Sequence, residues 1–270
     1  MLSSYLVTKL RDKILRDIDF TVTTPYVSLH TASPATTGAN EITAGSEGGS
    51  YARQPCSSWG VALPRTNAAV VEWTNTPFIE VSHFGLWDAV SGGNFLMGGT
   101  LMLSTTLGLG EHVRFAAGHL QVNCESRFSS YLQPKILDKI LKNADFNVDA
   151  AYGSLHTSDP GLIGENEFTG SAARPLVDHA NNPLSAPALS VNTWTVTYEV
   201  VSTNWEWQGL DNGTITHIGL WDSATYGAGN FLMSGVLTTP VTTTGGNSTV
   251  KLTFPDTAHD QAFFRFIQAP

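Results

Sequence analysis

Charge is scarce in this 270-residue chain: Asp, Glu, Lys and Arg together make up 14%, against roughly a quarter in an ordinary globular protein. Positive charge is scarcest. Lys and Arg number 14 against 23 Asp and Glu, a net charge of −9. Residues 1–126 hold 7 basic and 10 acidic side chains, residues 127–270 hold 7 and 13, and neither half gathers a Lys/Arg cluster. A phosphate backbone is bound by concentrated positive charge, so nucleic acid is excluded as a partner. Cysteine is nearly missing. Cys56 and Cys124 both lie in the first half without counterparts in the second, which predicts free thiols and a reducing compartment. No run of about 18 apolar residues occurs, which predicts no membrane span. Met1-Leu-Ser-Ser-Tyr5 leads straight into a charged amphipathic segment, which predicts no signal peptide.

Signatures of chemistry are missing too. The chain has no Gly-x-x-x-x-Gly-Lys phosphate loop, no His-Glu-x-x-His and no Gly-x-Ser-x-Gly elbow. Gly108-Leu-Gly110 lacks the strand–turn–helix setting of a dinucleotide site. His30 and His156 sit in strand-like runs with no second His, Cys or Asp at ligand spacing, so a satisfied, half-buried histidine outweighs a metal ligand. The sequence implies no cofactor, no metal and no enzyme.

What the chain has is itself, twice. Tyr5–Pro34 and Tyr131–Pro160 are identical at 16 of 30 positions without a gap, at an offset of 126. His83-Phe-Gly-Leu-Trp-Asp88 returns as His217-Ile-Gly-Leu-Trp-Asp222, and Gly93-Asn-Phe-Leu-Met97 as Gly229-Asn-Phe-Leu-Met233. The order is unchanged and the offset between these blocks reaches 136. The chain therefore divides into residues 1–126 and 127–270, two homologous domains rather than a solenoid of short repeats.

Each half changes secondary structure once. Residues 5–18 and 131–144 predict helices. Leu6, Leu10, Ile14 and Ile18 form one apolar stripe, repeated as Leu132, Ile136, Ile140 and Ala144. Lys9, Asp12, Lys13 and Arg16 occupy the other faces, matched by Lys135, Asp138, Lys139 and Lys142, which predicts an exposed docking helix. Ser3–Ser4 and Ser129–Ser130 are N-cap candidates. The polar faces mix both charge signs, which argues against a membrane-surface helix. Beyond each helix, short strands alternate with turns, from Tyr26–Thr31 and Tyr152–Thr157 onward. The expected fold is mainly β: two homologous β-sandwich domains, jelly-roll or Ig-like, each preceded by one amphipathic α-helix.

Leu29-His-Thr31, Gly38-Ala-Asn-Glu41, Tyr51-Ala-Arg-Gln54, His83–Asp88 and Gly93-Asn-Phe-Leu96 together resemble a group of small tailed-phage virion proteins, variously tail-fibre-like or capsid decoration (cement) proteins. The likeness covers nearly all of residues 1–122. It is weaker in the second half, where Glu165 replaces Ala, Ala173-Arg174-Pro175 lacks the Tyr and Gln, and the stretch from Pro175 to Ser190 is rebuilt. The resemblance implies a virion structural role.

His83 with Asp88, and His217 with Asp222, invite an acid–base reading. Five residues apart on a strand, the two side chains point to opposite faces. Trp87, Trp221, His83, His217, Phe95 and Phe231 are instead expected as repeated structural core, with Asp88 and Asp222 opening turns. Glu41 and Glu167 are expected in polar surface loops. Asn204–Gly213 reads as a loop enlarged in the second half, and its Trp205 and Trp207 are the candidate interaction loop.

The leading reading is a decoration protein on the outer capsid surface, bound to the major capsid protein and stabilising the shell as a homo-oligomer, with a trimer matching the lattice symmetry. The alternative is a tail or tail-fibre-associated component with a carbohydrate-binding surface for the host.

Overall fold

The structure, a computed structural model, describes residues 1–43, 49–124, 128–168, 173–177, 188–189, 196–197 and 204–253. The first half runs α1 (Ser4–Arg16), β1 (Tyr26–His30), β2 (Gln54–Pro55), β3 (Arg65–Thr66), β4 (Val71–Trp73), β5 (Ile79–Trp87), β6 (Phe95–Leu107), β7 (Val113–Phe115) and β8 (Gln121–Val122). The second runs α2 (Leu132–Lys142), β9 (Ala151–His156), β10 (Leu176–Val177), β11 (Ala188–Leu189), β12 (Val196–Thr197), β13 (Asn204–Trp221) and β14 (Phe231–Thr253). The protein is mainly β, as the strand-and-turn pattern predicts.

Each half is organised on a four-stranded antiparallel sheet, in the orders β2-β1-β5-β6 and β10-β9-β13-β14. The register is duplicated. Tyr26 pairs with Trp87 and His30 with His83, while Tyr152 pairs with Trp221 and His156 with His217. Four of the five β1 residues and five of the six β9 residues are buried, so both faces of these inner strands are covered. Two-stranded pairs β3-β8 and β4-β7 complete the first half.

The segment before each helix is held to the edge of its sheet. Leu2 bridges Met97 and the Ser3 N–H donates to the Leu96 carbonyl at 2.9 Å; Phe128 bridges Met233 and the Ser129 N–H donates to Leu232 at 2.9 Å. The same two serines are the N-caps. Ser3 Oγ accepts from the Leu6 N–H at 2.9 Å, and Ser129 Oγ from the Leu132 N–H at 3.0 Å. Left-handed residues, Asp17 at φ 48 and Asn143 at φ 52, end both helices. Ile18 and Ala144 therefore fall beyond the helices, and both are exposed.

The helical faces correct one expectation. The stripes Leu6, Leu10, Ile14 and Leu132, Ile136, Ile140 are buried, but so are Arg11, Lys13 and Lys139 from the supposedly solvated side. These are not exposed docking helices. Lys139 Nζ pairs with Asp19 at 2.7 Å and Asp145 at 3.5 Å and lies 5.5 Å from the centre of the Phe20 ring. Lys13 Nζ pairs with Asp17 at 2.9 Å. A lysine stem is apolar enough to be buried when its ammonium is neutralised.

Contacts group the chain into two compact units, neither continuous in sequence. Unit 1 comprises Met1–Leu10, Asp19–Cys124 and Lys135–Phe146; unit 2 comprises Arg11–Ile18, Glu125–Pro134 and Asn147–Pro270. Within unit 1, Asp138 of α2 pairs with Arg65 of β3 at 2.8 Å. The division at residue 126 is thus a division of sequence, and the packed units are drawn differently. No helix among the described residues is long and apolar enough to cross a membrane.

Ser3→Ala and Ser129→Ala should each lower stability by about 1 kcal/mol, and the double variant by about the sum. Denaturant midpoints of the four proteins check this.

Candidate functional site

The residues repeated between the halves converge on one buried network beside the turn that follows β5 and, again, β13. Trp87 Nε1 donates to Ser28 Oγ at 3.0 Å; Ser28 Oγ lies 2.7 Å from His30 Nε2; His30 Nδ1 lies 2.7 Å from the Ala39 carbonyl. A carbonyl only accepts, so the proton is assigned to Nδ1, and Nε2 accepts from the serine. The second copy repeats this with Trp221, Ser154, His156 and the Glu165 carbonyl at 3.0, 2.7 and 2.7 Å. Both histidines are completely buried, not half-buried. Burial holds the His30 pKa below its ordinary value and that of His156 down at about 4. Glycine is required opposite: a Cβ on Gly85 would stand 2.5 Å from Ser28 Oγ and 2.7 Å from His30 Nε2.

A buried arginine closes the network. Arg53 grips Glu41 in a two-pronged pair, Nε to Oε1 at 2.8 Å and Nη2 to Oε2 at 2.7 Å. Its Nη1 donates to the Ala89 and Gly92 carbonyls at 3.1 and 2.6 Å, and its plane lies 3.4 Å from the centre of the Trp87 ring. Arg174 does the same with Glu167 at 2.7 and 2.7 Å, with the Ser223 and Ala228 carbonyls at 2.9 and 3.0 Å, and with Trp221 at 3.9 Å. The turn each arginine holds is pinned from inside. Asp88 accepts from the Asn94 N–H and side-chain amide at 2.6 and 2.7 Å, and Asp222 from Asn230 at 2.5 and 2.7 Å. Glu41 and Glu167 lie outside the strands, as expected, but they are not surface carboxylates, because each neutralises a buried arginine. The signal was in the sequence as a repeated Glu and a repeated Ala-Arg, but their pairing needs the fold.

The acid–base reading fails on geometry. His83 Nδ1 lies 2.8 Å from Ser82 Oγ, and Asp88 is occupied by Asn94. His217 meets Thr216 Oγ1 at 2.8 Å in the same way. Phe95 stands at 60° to Trp87 and Phe231 at 59° to Trp221, both with centroids 5.2 Å apart. Cys56 and Cys124 are free and buried, and burial pushes both thiols up to about 12, so neither is a nucleophile at neutral pH. Among the described residues no three His, Cys, Asp or Glu side chains group to hold a metal.

The proposed interaction loop is corrected. Trp205 and Trp207 lie on strand β13, paired with Leu252 and Val250, and Trp207 is 2% exposed. The offset between the halves is 121 at Arg53/Arg174 but 134 from Trp73/Trp207 through His83/His217. Trp207 is thus the counterpart of Trp73, itself 2% exposed, and Asn204–Gly213 is not enlarged. The extra residues lie before it.

One feature is not duplicated. In unit 1 the Tyr51 hydroxyl accepts from the Leu29 N–H at 3.0 Å and donates to Glu41 Oε1 at 3.0 Å. The sequence equivalent of Tyr51-Ala52-Arg53 is Ala172-Ala173-Arg174. In unit 2 a cavity of about 10 Å³, room for one water molecule, lies among Ser154, Leu155, Glu167, Phe168, Ala173, Arg174, Trp207 and Tyr226.

Two stretches of the chain, residues 1–123 and 127–256, match the model of one protein family, described as podophage GP4 fiber I protein gp80. The chain belongs to that family. It is a phage virion structural protein, and the gp80 family is one of fibre proteins rather than enzymes. The two gp80 matches carry the two copies of the arginine–tryptophan network. No curated protein sequence matches the chain.

Two consequences can be measured. Glu41→Gln leaves the Arg53 charge buried without its counter-charge and should cost about 3 kcal/mol or more in unfolding experiments. Unfolded, His156 titrates near its ordinary 6.5; folded, at about 4. Between those values the unfolded chain binds more protons. Stability from this group is therefore complete above about pH 6.5 and is lost as pH falls toward 4, by about 3 kcal/mol in all. Urea melts from pH 7 to 4 should show this slope, and His156→Gln should flatten it.

Proposed function

We propose that this protein is a fibre-associated component of a podophage virion, set at the tail, where it presents a surface to host glycans. The observation that carries the reading is the double match to a fibre family over most of the chain. The interior supports it. Each repeat pairs its buried arginine, glutamate, histidine and tryptophan with one another, which suits a rigid mount and leaves function to loops and edges. The low charge and acidic balance suit a neutral polysaccharide better than a phosphate-bearing ligand. The decoration reading, with the major capsid protein as partner, draws no support from the family match, and oligomerisation as a trimer belongs equally to either reading.

Quantitative mass spectrometry of purified particles, joined to cryo-EM, tests this. A few to a few dozen copies confined to the tail are expected. Hundreds of copies spread over the icosahedral shell would overturn the proposal and restore the capsid reading.

A further inference from the structure

Each unit of the fold contains a stretch of helix that the other repeat supplies. Unit 1 holds the sheet of the first repeat together with Lys135–Phe146, which is most of α2 and the residues after it. Unit 2 holds the sheet of the second repeat together with Arg11–Ile18, where α1 ends. The exchange is reciprocal, and both helices make it in the same way. α1 begins on its own sheet, where the Ser3 N–H donates to the Leu96 carbonyl at 2.9 Å; α2 begins on its own, where the Ser129 N–H donates to the Leu232 carbonyl at 2.9 Å. Each then runs on into the unit of the other repeat.

The burial of α2 shows how deep its seat in unit 1 is. Ile136, Leu137, Lys139, Ile140 and Leu141 are all 2% exposed or less. At 100° per residue these positions span about 200° of the helix circumference, about twice the apolar stripe of an ordinary surface helix. The polar contacts are specific as well. Asp138 Oδ2 stands 2.8 Å from Nη2 of Arg65, a first-repeat arginine that is itself buried. Lys139 Nζ stands 2.7 Å from Asp19 and 5.5 Å from the centre of the Phe20 ring, both from the first repeat. Without α2 the first repeat would lose the carboxylate on Arg65 and the ammonium on Asp19 along with four buried aliphatic side chains. A buried charge stripped of its partner is among the costliest losses a fold can suffer.

We propose that each unit is a seat for the helix of another repeat, and that the two repeats of this chain are interlocked by the exchange. The partner each repeat requires is a second repeat, and the duplication supplies it within one chain. The seat also defines what it accepts: an amphipathic helix carrying an acidic residue followed by a lysine, which both helices have, as Asp12-Lys13 and Asp138-Lys139. The peptide connection at residues 125–127 is then not what holds the halves together. A break there leaves α2 in unit 1 and the end of α1 in unit 2, and the halves part only when a unit unfolds to release its helix. This holds whichever part of the virion the protein occupies.

The test uses the full chain with a specific protease site inserted between Glu125 and Ser126, purified in ordinary and isotope-labelled forms and then cut. The two cut proteins are mixed in native buffer, and native mass spectrometry follows the appearance of hybrids with one labelled and one unlabelled half. The cut protein should remain one particle on dilution to nanomolar concentration. Hybrids should appear no faster than global unfolding, measured by hydrogen exchange on the same sample. Asp138→Ala, which takes the carboxylate from Arg65, should speed hybrid formation about tenfold or more. Halves that separate on dilution, or hybrids that form within minutes, would overturn the interlock and leave two domains that merely dock; this arm stays decisive if Asp138→Ala does not fold. A hybrid rate unchanged by Asp138→Ala would overturn the assignment of the seat to α2 beside Arg65.

Discussion

A guanidinium is flat, permanently charged and carries five N–H donors, and the protein is arranged around burying one of these in each repeat. Arg53 stacks on Trp87, pairs with Glu41 and reaches two carbonyls of the turn after β5. The charge is tolerable inside only because every side of it is answered. The consequences spread outward. Trp87 must lie flat beneath the arginine, so its indole N–H is directed to Ser28, and Ser28 in turn to His30. Gly38 carries no side chain because a Cβ there would run into the Trp87 ring, and its φ of +78 is one that glycine adopts without strain. Glu41, Arg53 and the stretch from Trp87 through the Asp88–Asn94 turn are three separate parts of the chain, and this one contact fixes their mutual positions.

Duplication makes the second copy a control on the first. Where a residue serves the network, both copies have it: Glu41 and Glu167, Arg53 and Arg174, Gly85 and Gly219. The control also exposes what the network does not need. Tyr51 donates to Glu41, yet Ala172 stands in its sequence position and the Arg174–Glu167 pair forms at the same 2.7 Å.

The repeated polar groups inside each repeat are committed to one another. His30 and His156 are buried and bonded, the thiols are buried, and Glu41 and Glu167 are paired. Among the described residues the buried charges are basic, Arg11, Lys13, Arg53, Arg65, Lys139 and Arg174, while acidic side chains such as Glu72, Glu80 and Glu111 face solvent. The sensitivity to acid that follows from His30 and His156 is the other side of this economy, because a histidine without access to water cannot take up a proton cheaply.

The sequence alone determined the duplication, the helix before each sheet with its serine caps, the strands at Tyr26 and Tyr152, and the turns at Asp88 and Asp222. Each of these is written in local spacing: a 3.6-residue stripe, an alternation, an Asp before Gly-Asn. It also held the signal that Trp207 matches Trp73, since the offset of 134 already runs through both. Tertiary structure alone decided the rest. Lys13 and Lys139 are charged by composition and buried by packing, Lys13 with its ammonium on Asp17 one turn on and Lys139 with its ammonium on Asp19, 120 residues away. Glu41 meets Arg53 across 12 residues and Arg53 meets Gly92 across 39. No periodicity records such a meeting, because the side chains are brought together by sheet register and turn geometry, and those exist only once the chain has folded.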